Sequence, residues 1–304
     1  MRVVVIGGTG VLGRAATPAL LAAGHEVAVV CRTPQSMQLA AEFGARPVQV
    51  DLFDVSALSA ALSGADAVVN LASRFPVGYL GLLRSAWRRN DELFSQGVAC
   101  VVEAARVAGV RRVVQHALSS SYADQGEEWI TEQSPLEIMA AVEPFADAES
   151  HVQGYTCESR VGVILRFGQV TGDDPITRYW FKAAAHGRPV GVGAPTDWAH
   201  LIHTDDIGSA VVASLVAPAG IYNVGIEPIR KQQLVEAYAA GTGVAAVGFL
   251  GPVLRRMAGP RLEPVARSLR VCSEHFCAST GWRPSRPVLD ASWFDAVARE
   301  AVPA

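Results

Sequence analysis

Through the first half of the chain, short runs of β-branched and apolar residues alternate with longer stretches in which Leu, Ala and Val recur at helical spacing. The apolar runs fall at Arg2–Ile6, Glu26–Cys31, Pro47–Val50, Ala67–Leu71, Arg112–Gln115 and Val161–Leu165. Between them, Leu12–Ala23, Gln35–Phe43, Ser56–Leu62 and Asp91–Ala108 have the spacing of helices packed on a sheet. Gly24, Gly44, Gly64 and Gly109 each stand just past one of these helices, where a left-handed cap is wanted. Strand-length and helix-length segments in strict alternation predict an α/β fold with a doubly wound parallel sheet covered on both faces.

After about Arg166 the rhythm loosens. Gly168 to Pro195 is rich in Gly, Pro and aromatic residues, Trp198 to Asp206 reads as a strand running into a helix start, and Tyr222–Val224 reads as a further short strand. The tail from Glu227 mixes helices with loops and carries Gly281-Trp282-Arg283-Pro284. No repeat of solenoid period is present. The expected layout is a nucleotide-binding domain over residues 1–170, to which 200–226 returns, with a smaller substrate-binding lobe from 171–199 and 227–304.

Composition narrows the classes. Of 304 residues 50% are hydrophobic and 18% charged, with a formal net charge of -3. This is ample for a core, and it excludes wholesale disorder and a general nucleic-acid binder, which would show a basic face. The five cysteines, Cys31, Cys100, Cys157, Cys272 and Cys277, are scattered and lack C-x-x-C spacing. They read as reduced thiols of a cytosolic protein, with neither a disulfide frame nor a metal site. Arg2 followed by Val3–Leu12 imitates a leader, but its glycines fit a strand and turn better. Ile207–Ile226 is uncharged yet broken by Gly208, Pro218, Gly220 and Asn223, unlike a membrane span. The expectation is a soluble, cytoplasmic protein with a small-molecule substrate and neither nucleic acid nor membrane as partner.

One motif carries a firm mechanism: Val3-Val4-Val5-Ile6-Gly7-Gly8-Thr9-Gly10-Val11-Leu12-Gly13. Gly7 allows the tight turn off a strand, Gly10 lets the backbone approach a pyrophosphate, and Gly13 lets helix pack on sheet. Thr9, Val11 and Leu12 then belong to a helix start whose unpaired N–H groups and positive dipole end face the phosphates. The second strand ends at Cys31, and Arg32-Thr33 follow where an acidic residue would hold the ribose of NAD. A guanidinium there binds a 2′-phosphate, so NADP(H) is favoured over NAD(H), the alternative being a solvated strand-end charge. Asp51-Leu52 are placed to reach the adenine edge, and Leu71-Ala72-Ser73 to end the fourth strand beside the cofactor; either could equally be a turn or cap.

These residues, in this order, resemble the short-chain dehydrogenase/reductase superfamily, in particular its extended and atypical, NAD-dependent epimerase/dehydratase-like branches. The likeness continues through Gly109-Val110-Arg111-Arg112-Val113-Val114 and Leu165-Arg166-Phe167-Gly168-Gln169-Val170-Thr171-Gly172. It extends to Leu201-Ile202-His203-Thr204-Asp205-Asp206, Tyr222-Asn223-Val224 and Thr280-Gly281-Trp282-Arg283-Pro284. The resemblance implies a Rossmann core, a C-terminal substrate lobe and a nicotinamide cofactor facing the cleft between them. Relatives of this kind are often homodimers through helices flanking the core.

The superfamily's catalytic signature is a Ser or Thr ending the fifth strand plus Tyr-x-x-x-Lys on the following helix, where the Lys charge lowers the Tyr pKa. This sequence departs from it. Phe145 and Glu149 occupy the best-placed spacing, and Tyr155 is followed four residues on by Ser159. The candidate proton-transfer residues are then Tyr122, His116, His203 and Glu149, with Ser119 or Ser120 as the strand-end hydroxyl. Each has a bland reading: packing for Tyr122, a structural histidine for His116 and His203, a helix-surface charge for Glu149. Thr204 or Asp205 is expected to cap the next helix. Trp129, Trp180 and Trp198 either wall the substrate cleft or pack in a core. The leading expectation is an NADP(H)-dependent oxidoreductase acting on a small carbonyl or hydroxyl compound with a non-standard proton donor. The alternatives are a redox-neutral epimerase, dehydratase, lyase or cyclase on the same scaffold, and a non-catalytic NADP(H) sensor.

Overall fold

The computed structural model describes residues 1–251 and 261–301; residues 252–260 and 302–304, part of the expected substrate lobe, lie outside the described residues. In chain order the core elements are β1 (Arg2–Ile6), α1 (Val11–Ala22), β2 (Glu26–Cys31), α2 (Pro34–Glu42), β3 (Arg46–Gln49), α3 (Val55–Ala61) and β4 (Ala67–Asn70). There follow α4 (Arg84–Glu92), α5 (Val98–Val107), β5 (Arg112–Leu118), α6 (Glu143–Gln153) and β6 (Val161–Phe167). The long helix expected from Asp91 to Ala108 is two helices, α4 and α5, joined by a π-helical turn at Leu93–Gly97.

Seven strands form one sheet in the order β10-β6-β5-β4-β1-β2-β3, where β10 is Gly220–Val224. All its pairings are parallel. Both faces are covered, which is why β1, β2, β4 and β5 read as near-continuous apolar runs. One face packs Val3, Val5, Val29, Val69, Val114 and Leu165 under α1 and α8 (Thr204–Ser214). The other packs Val4, Ile6, Val68, Val113 and Ile164 under α3, α5 and α6. Chain order reverses between β1 and β4, and ligands of open α/β sheets gather at such a switch, beyond the carboxyl ends of the strands.

Gly168–Pro195 contributes β7 (Gln169–Thr171) and α7 (Pro175–Ala185). β8 (Trp198–Ala199) and β9 (Leu201–His203) then lead into α8, as the sequence pattern anticipates. β7 pairs with β9, and β8 pairs with β11 (Ile229–Arg230), so two small sheets sit beside the large one. The tail supplies α9 (Lys231–Thr242), α10 (Glu263–Ala266), α11 (Glu274–Thr280) and α12 (Asp295–Ala301). Phe181, Tyr238, Trp293 and Phe294 form a separate apolar cluster there. Among the described residues no helix is long and apolar enough to cross a membrane.

Candidate functional site

The β1–α1 turn is built so that backbone comes very close to backbone. Gly7 has φ +76°, and a Cβ on it would lie 2.6 Å from the Ala72 nitrogen, so the turn touches the end of β4. A Cβ on Gly13 would lie 2.2 Å from the Gly7 carbonyl oxygen and 2.4 Å from the Gly8 carbonyl carbon, so only glycine lets α1 seat on the loop. At Gly10 a Cβ would meet only the Gly7 oxygen, at 3.3 Å, which leaves that edge of the loop open. Gly10 is the N-cap of α1 and offers no side-chain cap; the first turn carries no acidic residue. Among the described residues the N–H groups of Val11, Leu12 and Gly13 therefore remain as unpaired donors at a positive dipole end, and the cradle fits a diphosphate. Thr9 accepts a hydrogen bond on its carbonyl from Arg14 Nε at 3.3 Å, which ties the loop to the helix.

Just past β2, Arg32 is exposed and makes no hydrogen bond or ion pair with the described residues. Thr33 accepts from Ser36 N at 3.2 Å and caps α2 in a reciprocal capping box. Asp51 accepts from Phe53 N at 3.1 Å within its turn, while Leu52 is buried against Gly97. Beyond β4, Leu71 is buried, and Ala72 and Ser73 are half-buried; Ala72 N donates to Asn70 Oδ1 at 3.2 Å.

The carboxyl ends of β4, β5 and β6 carry a buried polar chain. Asn70 Nδ2 donates to Gln115 Oε1 at 2.7 Å, and His116 Nδ1 lies 3.1 Å from the Asn70 carbonyl oxygen. His116 Nε2 is buried without a partner, and burial lowers the ring's pKa to about 4. Its ring packs at 4.9 Å on Phe94, which meets Phe145 edge-on at 4.3 Å; Phe145 in turn stacks on Phe75. Phe145 is thus an apolar wall on α6.

Glu149, one helical turn further, is no surface charge. Its carboxylate takes two hydrogen bonds from Arg166 of β6, at 2.8 and 2.5 Å, and both side chains are buried. Helix α6 turns this face to the sheet, so the carboxylate and the guanidinium neutralise each other out of water. Burial disfavours the guanidinium charge, but the Glu149 hydrogen bonds and charge outweigh it and raise the Arg166 pKa. Arg166 also lies 4.8 Å over the Tyr122 ring. Tyr122 is fully buried and donates to Asn223 Oδ1 at 2.8 Å; burial pushes its pKa up to about 12 despite the neighbouring Arg166.

His203, not Thr204 or Asp205, caps α8: its Nδ1 accepts from Asp205 N at 3.1 Å. Its Nε2 donates to the Trp293 carbonyl oxygen at 3.3 Å, so both ring nitrogens are engaged, and burial lowers its pKa. Ser120 is half-buried and its hydroxyl makes no hydrogen bond with the described residues, one residue past Ser119 in the turn that ends β5. Ser119 Oγ lies 3.0 Å from His200 Nδ1, and His200 Nε2 lies 3.0 Å from Ser273 Oγ. Sequence reasoning missed this chain because its partners stand 81 and 73 residues from His200 and no local pattern links them. Trp198 and Trp129 form an outer stack with Arg230 and Arg270, at 3.7 to 4.7 Å, and Trp180 packs against the cluster of Phe181, Tyr238, Trp293 and Phe294.

A seven-stranded parallel sheet with an open glycine loop at its switch point defines a dinucleotide-binding α/β protein. The chain belongs to the NAD(P)H-binding family, whose model matches residues 7–218. Over 99% of its length it is 30% identical to the whole of a 3-diazoavenalumate denitrifying reductase from a Streptomyces species. Among solved structures, a human epimerase family protein with NADPH superposes with a TM-score of 0.78 at 22% identity, covering 98% of this chain and 99% of that one. A Thermus thermophilus UDP-glucose 4-epimerase with NAD gives 0.78 at 23% identity, over 99% and 100% of the two chains.

Proposed function

We propose that the protein is an NADP(H)-dependent oxidoreductase that interconverts a small-molecule carbonyl and its alcohol, with the proton handled by a group other than a Tyr–Lys pair. The observation that carries this reading is the row of unpaired N–H donors at the start of α1, open beside the carboxyl ends of β4, β5 and β6. Exposed, unpartnered Arg32 supports the preference for the 2′-phosphate. When bound, the nicotinamide supplies a hydride. The glycine loop holds the diphosphate; Phe145 and Phe75 supply an apolar wall that keeps water from the reacting carbon. Phe145 has no proton to give, Glu149 is tied to Arg166, Tyr122 is buried with its hydroxyl given to Asn223, His203 has both nitrogens engaged and His116 is packed against Phe94, which leaves the strand-end hydroxyls to move the proton. The reductase named among the relatives favours net reduction over a redox-neutral reaction on the same scaffold.

Calorimetry and the nicotinamide absorbance band test this. NADPH is expected to bind and protect the protein against melting, and a carbonyl substrate to consume it stoichiometrically. Substituting Arg32→Asp is expected to weaken NADPH at least about tenfold while sparing NADH. Equal loss of both coenzymes would remove the phosphate role, and no binding of either would remove the enzyme.

A further inference from the structure

The histidine that the reading above does not use is the most elaborately housed one in the molecule. His200, between β8 and β9, is buried and has a hydroxyl on each ring nitrogen. Two glycines make room for it. A Cβ on Gly225 would lie 2.4 Å from His200 Nε2, and a Cβ on Gly168 would lie 2.9 Å from the His200 carbonyl oxygen. Ser273 is the N-cap of α11, a position where a serine hydroxyl ordinarily accepts from the first turn. It makes no such bond, and its hydroxyl turns to His200 instead. At the other end, Ser119 follows the last residue of β5, at the carboxyl edge of the sheet.

Resting on the oxidoreductase reading, we infer that Ser119, His200 and Ser273 form a proton relay that runs from Ser273, at the start of α11, to the substrate oxygen. A neutral imidazole donates from one nitrogen and accepts at the other, and the two tautomers are both satisfied here by hydroxyls, each of which donates or accepts. As hydride reaches the carbonyl carbon, the Ser119 Oγ–H bond breaks and the new O–H bond forms on the substrate oxygen. The His200 Nδ1 proton moves to Ser119 Oγ, the Ser273 hydroxyl proton moves to His200 Nε2, and Ser273 recovers a proton from water. One proton enters, one leaves to product, and the imidazole never becomes charged; the ring ends in its other tautomer and is reset when, with product gone, water in the cleft gives a proton to Ser119, Ser119 passes its own to His200 Nδ1, and the Nε2 proton returns through Ser273 to water. This is consistent with the burial that lowers the His200 pKa to about 3. Ser119 is the catalytic residue in this scheme; His200 and Ser273 act through it. In the oxidative direction every transfer reverses.

Two measurements on the full chain test the relay. With ring-nitrogen-labelled histidine and no cofactor, the signals absent in His200→Gln identify His200. Both of its nitrogens are expected at averaged, neutral positions, and Ser273→Ala is expected to lock one tautomer. A wild-type ring already fixed in one tautomer overturns the relay, whatever the enzyme reduces. The second measurement is NADPH oxidation with para-nitrobenzaldehyde as probe. Glutamine keeps a donor and an acceptor but cannot exchange them, so His200→Gln is expected to lose about 100-fold in kcat while its NADPH affinity and melting temperature hold. Should it fail to fold, Ser273→Ala carries the kinetic arm with the same sign and a larger solvent isotope effect than wild type. A folded variant reducing the aldehyde at the wild-type rate overturns the relay alone. A wild type that fails to bind NADPH overturns the oxidoreductase reading, and the relay with it.

Discussion

Glu149→Gln tests how firmly the buried carboxylate of α6 is tied into the structure. The Glu149 carboxylate meets Arg166 at 2.8 and 2.5 Å, with 6% and 3% of the two side chains exposed. At an effective dielectric of about 20, unit charges 2.8 Å apart attract by about 6 kcal/mol, much of which offsets the cost of taking both from water. Removing the carboxylate charge leaves the guanidinium buried and uncompensated, for an expected loss of about 3–5 kcal/mol. That is a large share of a typical total of about 5–15 kcal/mol. Urea denaturation is the assay, with a midpoint about 1 M or more below that of the parent. The double variant Glu149→Leu/Arg166→Met, which removes both charges, should recover most of the loss. Glu149→Lys should not fold, since it sets two cations in one dry site. If Glu149→Gln lies within about 1 kcal/mol of the parent, the pair is not a buried ion pair and the account of α6 is wrong.

Three further outcomes are expected. Gly13→Ala drives a Cβ to 2.2 Å from the Gly7 oxygen and should abolish coenzyme binding and lower the melting temperature, whereas Gly10→Ala, with only a 3.3 Å contact, should fold normally and bind more weakly; calorimetry on both separates the roles. His116 and His200 stay neutral in the folded protein to about pH 4 and about pH 3, while the unfolded chain protonates them near 6.5. The unfolded state then binds more protons as pH falls below 6.5, so stability is full above that value and declines below it, by up to about 1.4 kcal/mol per pH unit for each ring. Melting curves should show this fall, and His200→Gln should flatten it. Arg32→Asp, read by paired NADPH and NADH titrations, should reverse coenzyme preference if the guanidinium binds the 2′-phosphate.

The strands and helices of the first half could be read directly because their signals are local: β-branched runs bury on both sheet faces, and a glycine stands where each helix must stop. The β1–α1 loop was equally legible, since Gly7, Gly10 and Gly13 answer to backbone geometry within a dozen residues. That no Tyr in the sequence is followed four residues on by a Lys was also a matter of counting. The surroundings of Glu149 were not. Glu149 has the local look of a solvated helix charge, and only the packing of α6 on β6 sets it against Arg166. His203 was singled out as a candidate acid or base, but the fold uses both of its nitrogens to cap α8 and hold Trp293. His200 drew no attention, because nothing near it in sequence marks a residue whose partners arrive from β5 and α11. A side chain's local neighbours determine its secondary structure; its charge state and hydrogen bonds depend on groups brought in from distant parts of the chain, and those exist only once the core has closed around them.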